Sequence, residues 1–257
     1  MKQNWEFWMV SGTDTVASFF SNLALASQAP DKRRPWRMKF TLRMRRPRND
    51  GLSSSEEFDQ LVQVEDSAAQ AFEKALDAIY VGRVTEGGNR IFFYYAPAAS
   101  VFEAQAQRMM KAFPEYEFET EAVLDPGWRF YFENLTPSDG IMQAIKNRHV
   151  LEVMEKRGDA GTVRRDVRHW AYFSLREHRS GYRRAIEDMG FTFVSDSTVD
   201  GELRFGVSFE REDSLASQEF DDVTIQLMEL ANEFEGEYDG WESPLLPGGE
   251  EGATSDG

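Results

Sequence analysis

The sequence contains no cysteine among its 257 residues. This absence excludes disulfide bonds, a thiolate nucleophile and any metal site built on cysteine. Only three histidines are present, which leaves little material for a zinc site. No apolar run approaches the ~20 residues that span a bilayer, and the start lacks the basic and apolar regions of a signal peptide. We therefore expect a cytoplasmic protein.

Motifs that bind nucleotides or perform catalysis are also lacking. The chain has no phosphate-binding or dinucleotide-binding glycine motif, no nucleophile elbow and no zinc-binding helix motif. Acidic residues are numerous, but none stands in an apolar setting that would raise its pKa for general acid catalysis. We therefore predict that the protein is not an enzyme and binds no cofactor or metal.

Negative charge is abundant and unevenly distributed, with a formal net charge of -16. Residues 1–135 hold 16 Lys and Arg against 19 Asp and Glu, whereas residues 136–257 hold 13 against 26. An acidic field of this kind repels nucleic acid and attracts basic partners over a long range. The second half of the chain is therefore predicted to bind a basic partner rather than RNA.

Hydrophobic periodicity predicts an α+β protein with two ferredoxin-like domains, each an antiparallel sheet with helices on one face. In residues 1–135 the predicted order is β-β-α-β-β-α-β-β, with Trp128–Phe132 as the last strand. Residues 136–158 are predicted as a connector helix, and residues 159–244 as β-α-β-β-α-β. Residues 245–257 are rich in Gly, Pro and Glu, a composition that predicts disorder.

Helix starts are predicted from capping signatures, in which Ser or Thr is followed three residues later by an acid. These signatures are Ser54 with Glu57, Ser100 with Glu103, Thr136 with Asp139, and Ser174 with Glu177.

The segment 218–241 is predicted to be an amphipathic acidic helix followed by a short strand. Its apolar residues recur at steps of three and four, and Gly236 is predicted to end the helix in the left-handed conformation. Acidic side chains fill the remaining positions, so we predict a partner-binding surface there. Its predicted members are Glu219, Asp222, Glu229, Glu233, Tyr238, Asp239, Trp241 and, from an earlier strand, Trp170.

A basic strand in the first half leaves two alternatives open. Arg37, Lys39, Arg43 and Arg45 alternate with apolar residues, so they share one strand face. Such a face can follow the phosphates of RNA. It carries no aromatic residue for base stacking, however, so docking on the acidic half or simple solvation is favoured over RNA binding.

Strand periodicity also places the residues around His169. His169 shares its strand parity with Val167 and Ala171, which favours a buried structural histidine on the helix-covered face. Trp170 and Tyr172 have the opposite parity, so they are predicted to face the open side of the sheet as a docking surface. Gly240 is predicted to serve a turn or bulge in the last strand.

The segment 141–243 resembles the B-type family of protein regulators of ribonuclease E activity. The residues that carry this resemblance are Gln226-Leu227-Met228, Leu230-Ala231, Phe234, the run Glu237-Tyr238-Asp239-Gly240-Trp241, the run Asp166-Val167-Arg168-His169-Trp170, and Met189-Gly190-Phe191. The first 135 residues resemble a domain of unknown function that is often fused in front of it. The matching features are Gly51-Leu52, Glu65-Asp66, Val81-Gly82-Arg83-Val84-Thr85 and Phe92-Phe93-Tyr94-Tyr95.

The resemblance implies a ferredoxin-like α/β sandwich that binds endoribonuclease E, inhibits its RNA cleavage and changes the composition of the degradosome. It implies a protein partner, ribonuclease E or a degradosome component, and no enzymatic activity.

Overall fold

The computed structural model describes residues 3–12 and 15–246. The chain divides into two compact units, Met1–Pro137 and Ser138–Gly257. Within the described ranges, no helix is both long and apolar enough to cross a membrane. The predicted disordered tail, 245–257, lies outside the described residues from position 247 onward.

The first unit has an antiparallel sheet extended at one edge, and its strand order is β1-β2-β4-β5-β3-β6. The β3-α1-β4-β5-α2-β6 part has the ferredoxin-like order, and β1 and β2 add two strands beside β4. The elements are β1 Trp5–Ser11, β2 Val16–Asn22, a 3-10 helix Leu23–Ser27, β3 Trp36–Arg43, α1 Phe58–Leu76, β4 Ile79–Glu86, β5 Asn89–Ala96, α2 Phe102–Met110, β6 Phe118–Leu124 and α3 Arg129–Asn134.

Apolar and polar residues alternate along β3, and the apolar ones define the sheet face that α1 and α2 cover. Met38, Phe40 and Leu42 are fully buried against these helices, and each such side chain contributes roughly 1.5–3 kcal/mol to stability. The reverse face has its own apolar cluster, where Trp128 stacks on Tyr95 with ring centroids 4.1 Å apart. The sheet of the first unit is therefore covered on both faces.

The predicted strand Trp128–Phe132 is wrong, because these residues begin helix α3. Trp128 adopts a left-handed backbone conformation with φ 53°, and its indole Nε1 donates to the carbonyl of Arg34 at 2.9 Å. The Tyr131 hydroxyl donates to the carbonyl of Asn22 at 2.8 Å. These long-range contacts override the strand preference of an aromatic run. Strand β2, in contrast, occupies a segment that was not predicted as a strand.

The four predicted capping signatures are also wrong in detail. The N-caps are Glu57, Val101, Ser138 and Leu175, and of these only Ser138 accepts a hydrogen bond from its own helix, from the backbone N–H of Ile141. The Glu57 carboxylate instead turns back to accept from the backbone N–H groups of Arg45 and Arg46, at 2.8 and 2.7 Å.

The second unit has the sheet order β10-β7-β9-β8 with all pairs antiparallel, which is the ferredoxin-like arrangement. The α+β class predicted from the sequence is confirmed. The elements are α4 Asp139–Glu155, β7 Arg165–Phe173, α5 Arg176–Asp188, β8 Thr192–Thr198, β9 Phe205–Asp213, α6 Gln218–Glu233 and β10 Gly236–Glu242. Helix α4 packs against α6, so it is an integral part of this unit.

The end of α6 differs from the prediction that Gly236 adopts the left-handed conformation. The left-handed residue is Glu235, with φ 53°. A Cβ atom on Gly236 would lie 2.2 Å from the ring of Phe173, so glycine is needed here for close approach of β10 to β7. The left-handed conformation, which is energetically unfavourable for a residue with a side chain, is therefore adopted by Glu235.

Candidate partner-binding surfaces

Helix α6 presents a continuous acidic stripe to solvent. Glu219, Asp222, Glu229 and Glu233 are all exposed, and together with Gln226 they recur at steps of three and four along one helix face. With a rise of about 1.5 Å per residue, the stripe is roughly 21 Å long. Phe220, Thr224, Leu227 and Ala231 form the buried face of the same helix.

Within the residues that the structure describes, no basic side chain forms an ion pair with the carboxylates of this acidic stripe. Glu219, Glu229 and Glu233 form no ion pair there, and Asp222 accepts only a hydrogen bond from Gln218 at 3.2 Å. The last turn of α6 contains no basic residue, although a cation is the favourable charge at that end of a helix. Glu229 and Glu233 therefore destabilise the C-terminal end of the helix, and the charge of the stripe stays available to a partner.

A buried amide fixes α6 to α4 and β10. The Asn147 Nδ2 atom donates to Asp221 at 2.7 Å and to Thr224 at 2.8 Å. Its Oδ1 accepts from Gln143 at 3.0 Å and from the Trp241 indole at 2.8 Å. Both donors and both lone pairs of the amide are thus used, which holds the acidic helix rigidly.

His169 lies in the core of the second unit, on the helix-covered face as its strand parity indicates. It is fully buried, its Nδ1 lies 2.7 Å from the Tyr238 hydroxyl, and its ring stacks on Phe209. Burial, helped by the nearby Arg211, lowers the pKa of His169 to about 3. A neutral buried imidazole that joins β7 to β10 serves the fold.

A buried ion pair joins the first residue of β7 to the loop that follows α4 in the same unit. The Arg165 guanidinium binds the Asp159 carboxylate through two nitrogens, and both side chains are only 2% exposed. Arg165 holds the pKa of Asp159 well below its usual range. Asp159 also accepts from the backbone of Leu246 at 2.7 Å, and Arg165 donates to the carbonyl of Pro244 at 3.2 Å. The pair thereby ties down the chain beyond β10.

The run 237–241 divides its side chains between two faces of the sheet. Tyr238 is buried beneath α6, and Trp241 packs edge-on against Phe220. Glu237 and Asp239 are exposed on the opposite side. Gly240, with φ 121°, follows a register shift between Tyr238 and Gly240, so it serves a β-bulge.

The predicted partner-binding residues therefore belong to three environments. The acids of α6 share one exposed surface, whereas Trp170 and Asp239 lie on the uncovered face of the sheet, where Trp170 is half-buried. Tyr238 is buried and Trp241 is half-buried between α4 and α6. The structure does not bring the eight residues together on one surface.

The basic residues of β3 are largely paired inside the first unit. Strand β6 lies beside β3 and carries Glu119 and Glu121 in alternation, and Glu117 directly precedes it. Arg37 pairs with Glu121, and its guanidinium lies 4.5 Å from the ring centroid of Phe130. Lys39 lies 3.9 Å from Glu121, and Arg43 lies 3.2 Å from Glu117.

The remaining member of the basic set, Arg45, is exposed and its guanidinium lies 6.0 Å from the ring centroid of Tyr116. Acidic residues of β6 and directly before it thus supply counter-charge for Arg37, Lys39 and Arg43. RNA binding by Arg37, Lys39, Arg43 and Arg45 stays a prediction.

A buried charged cluster in the first unit was not recognised from residue patterns. The Glu65 carboxylate accepts from Tyr80 at 2.8 Å and from Arg83 at 2.6 Å. Arg90 lies 3.6 Å from Glu65 with its side chain 3% exposed, and burial lowers the pKa of Arg90 to about 10. The Tyr94 hydroxyl nearby is buried without a hydrogen-bond partner. The cluster connects α1 to β4 and β5.

Metal binding has no support in the described parts of the chain. Within residues 3–12 and 15–246, no group of three His, Asp or Glu side chains is arranged to hold an ion.

Family comparisons assign both units. The model described as "Family of unknown function (DUF695)" matches residues 3–136, more than half of the chain. The chain belongs to the DUF695 family. A second model, "Regulator of ribonuclease activity B", matches residues 144–243. This DUF695 protein therefore carries a regulator of ribonuclease activity B domain as its second unit, and both resemblances noted in the sequence are confirmed.

Other comparisons add little to this assignment. No curated protein matches the chain. A structure titled as an unknown protein from Galdieria sulphuraria is 10% identical, with 82% of this chain and 98% of that chain covered and a TM-score of 0.22. A putative glycine cleavage system transcriptional repressor is 6% identical, with coverage of 81% and 98% and a TM-score of 0.21. Scores this low carry no argument about fold or function.

Proposed function

We propose that this DUF695 protein is a non-enzymatic regulator that binds ribonuclease E in the cytoplasm and modulates its cleavage of RNA. The observation that carries the proposal is the match of residues 144–243 to the regulator of ribonuclease activity B family.

The acidic stripe of α6 is the contact surface that we propose within this unit. Four carboxylates lie along one rigid helix without counter-charge among the described residues, as described above. A basic surface or segment of ribonuclease E would supply the missing cations. Each exposed ion pair is worth only about 0.2–1 kcal/mol, so the affinity has to come from several pairs together and should fall with ionic strength.

The rigidity of α6 supports the same surface. The Asn147 hydrogen bonds fix α6 against α4, so the carboxylates need no reordering of the backbone when a partner binds. A preorganised charged face mainly raises the rate of association through electrostatic steering. The stripe is therefore expected to influence the association rate more than the dissociation rate.

A capture experiment with purified ribonuclease E tests the proposal. Glu229→Lys combined with Glu233→Lys reverses the charge of two exposed stripe residues and should lower the association rate at low salt by about tenfold or more. Surface plasmon resonance at two salt concentrations measures this change. Cleavage of a model RNA by ribonuclease E, with and without the protein, measures the regulatory effect.

The matched control places the same charge reversal on the first unit. Asp66→Lys combined with Glu73→Lys changes two exposed residues of α1 by the same formal charge. If this control weakens capture as much as the α6 pair, net charge rather than the stripe governs binding. If the unmodified protein neither captures ribonuclease E nor alters its cleavage rate, the proposed function is refuted.

A further inference from the structure

A pocket of about 260 Å³ opens on the uncovered face of the sheet in the second unit. Its lining combines one aromatic ring, two aliphatic side chains and two carboxylates, which are Tyr172, Val199, Leu203, Glu237 and Asp239. The pocket lies on the side of the sheet opposite α6, so it is separate from the acidic stripe.

Strand register explains why these residues meet. Glu237 of β10 lies directly across from Tyr172 of β7. Asp239 is the extra residue in the bulge between Tyr238 and Gly240. Val199 and Leu203 come from the connection between β8 and β9, which is closed by a 2.9 Å hydrogen bond from the Val199 N–H to the carbonyl of Arg204. The pocket is therefore built by two strands, β7 and β10, and the connection between β8 and β9.

Gly206 allows the aromatic ring of the pocket, Tyr172, to pack closely on β9. A Cβ atom on Gly206 would lie 2.8 Å from Cε1 of Tyr172, so the Tyr172 ring packs directly against the backbone of β9. The ring is half-buried, and its hydroxyl makes no hydrogen bond within the described chain. One flat, fixed aromatic surface thus remains open to a ligand.

The two carboxylates of the pocket lack a positive partner. Glu237 and Asp239 are exposed and form no ion pair among the described residues. On the same sheet face, Glu210 is paired with Arg168 at 3.0 Å. Glu237 and Asp239 therefore place uncompensated negative charge directly beside Tyr172, where the pocket is located.

We propose that this pocket binds an arginine side chain of the partner protein, an inference that rests on the proposed function and gives the partner a defined contact residue. The planar guanidinium would stack on Tyr172, and its fixed N–H groups would reach Glu237 and Asp239 in charge-assisted hydrogen bonds. The aliphatic part of the arginine would pack on Val199 and Leu203. A lysine ammonium would lack the planar stacking surface and the forked donors.

An amide-resolved NMR titration of the full chain tests the pocket directly. The probe is N-acetyl-arginine amide, with N-acetyl-lysine amide as the comparison ligand at the same ionic strength. We expect arginine to shift the amide signals of Tyr172, Leu203 and Asp239, and to bind at least about threefold tighter than lysine. Equal binding of the two ligands would overturn the assignment to arginine, and absence of shifts around the pocket would overturn the site.

Two variants separate the pocket from general electrostatic attraction. Glu237→Gln combined with Asp239→Asn should weaken arginine binding by about tenfold, while Asp66→Asn combined with Glu73→Gln removes the same charge from two exposed residues of α1 and should leave it unchanged. Equal weakening by both pairs would overturn the proposal. Tyr172→Leu, which keeps an apolar side chain at this position, should reduce the preference for arginine over lysine.

Capture of ribonuclease E by the same proteins distinguishes failure of the pocket from failure of the function. Normal capture without arginine binding would overturn the pocket and leave the proposed function intact. Arginine binding without capture would support the pocket and refute ribonuclease E as the partner.

Discussion

Mild acid should destabilise the second unit through a single residue, His169. Its ring is fully buried, stacks on Phe209 with centroids 5.4 Å apart and contacts the Tyr238 hydroxyl at 2.7 Å. Burial is the main cause that lowers its pKa to about 3 in the folded protein, and Arg211 adds to the effect. An unfolded chain restores a histidine pKa of about 6.5.

The sign and size of the effect follow from these two pKa values. Below about pH 6.5 His169 becomes protonated in the unfolded chain, whereas in the folded protein it stays neutral until about pH 3. Stability contributed by the neutral ring is therefore lost as the pH falls through this window. Lowering the pH from 6.5 to 4.5 should reduce the free energy of unfolding by about 2 kcal/mol.

Urea unfolding of the second unit at pH 6.5 and pH 4.5 measures this loss. The indole N–H signal of Trp241, which donates to Asn147 at 2.8 Å, reports on the second unit alone. His169→Phe keeps an aromatic ring at this position and removes the titrating group, so its stability should change by about 2 kcal/mol less over the same range. If the unmodified protein and His169→Phe respond to pH equally, the reasoning about His169 is refuted.

Three further predictions concern α6 and its supports. Replacing both Glu229 and Glu233 with Gln should raise the free energy of unfolding by about 0.5 kcal/mol, because it removes like charges from a helix C-terminus; a loss of stability in urea titration would contradict this. Asn147→Asp should cost about 3 kcal/mol at neutral pH, because it removes both N–H donors of the amide, and the cost should shrink in acid if the carboxylate is responsible. Glu235→Gly should raise the melting temperature, because it removes a left-handed non-glycine residue that costs about 1 kcal/mol, whereas Gly236→Ala should lower it by forcing a Cβ against Phe173. A lower melting temperature for Glu235→Gly would contradict the assignment of Glu235 as the left-handed residue.

Local sequence patterns predicted the fold class, because the buried side chains of the core follow the alternating spacing of strands and the three-and-four spacing of helices. The pattern of β3 predicted Met38, Phe40 and Leu42 as one face, and all three are fully buried. The predicted strand at Trp128–Phe132 failed because its outcome depends on contacts with Arg34 and Asn22, about a hundred positions away. Aromatic residues alone cannot distinguish a strand from a short helix docked on a sheet.

The candidate surfaces were predictable to a different degree. The acidic stripe of α6 could be predicted, because a helix with one apolar face must expose the other. The arginine pocket could be predicted only in part. Strand parity predicted Tyr172 on the open face, and Gly240 predicted a turn or bulge in the last strand. The approach of Val199 and Leu203 to Tyr172 depends on the pairing of β7 with β9 and has no local sequence signal.

The ion pairs between basic residues of β3 and the acidic residues at β6 have a consequence for solubility. Strand β6 forms one edge of the six-stranded sheet, and an open edge is a template on which another copy of the chain can add a strand. Glu121 and Glu117 pair with basic residues of β3. Together with Glu119 they give this edge a negative charge that repels a second β6 edge, since like charges directly opposite each other are unfavourable. The carboxylates that pair with Arg37 and Arg43 therefore also discourage edge-to-edge aggregation at this strand.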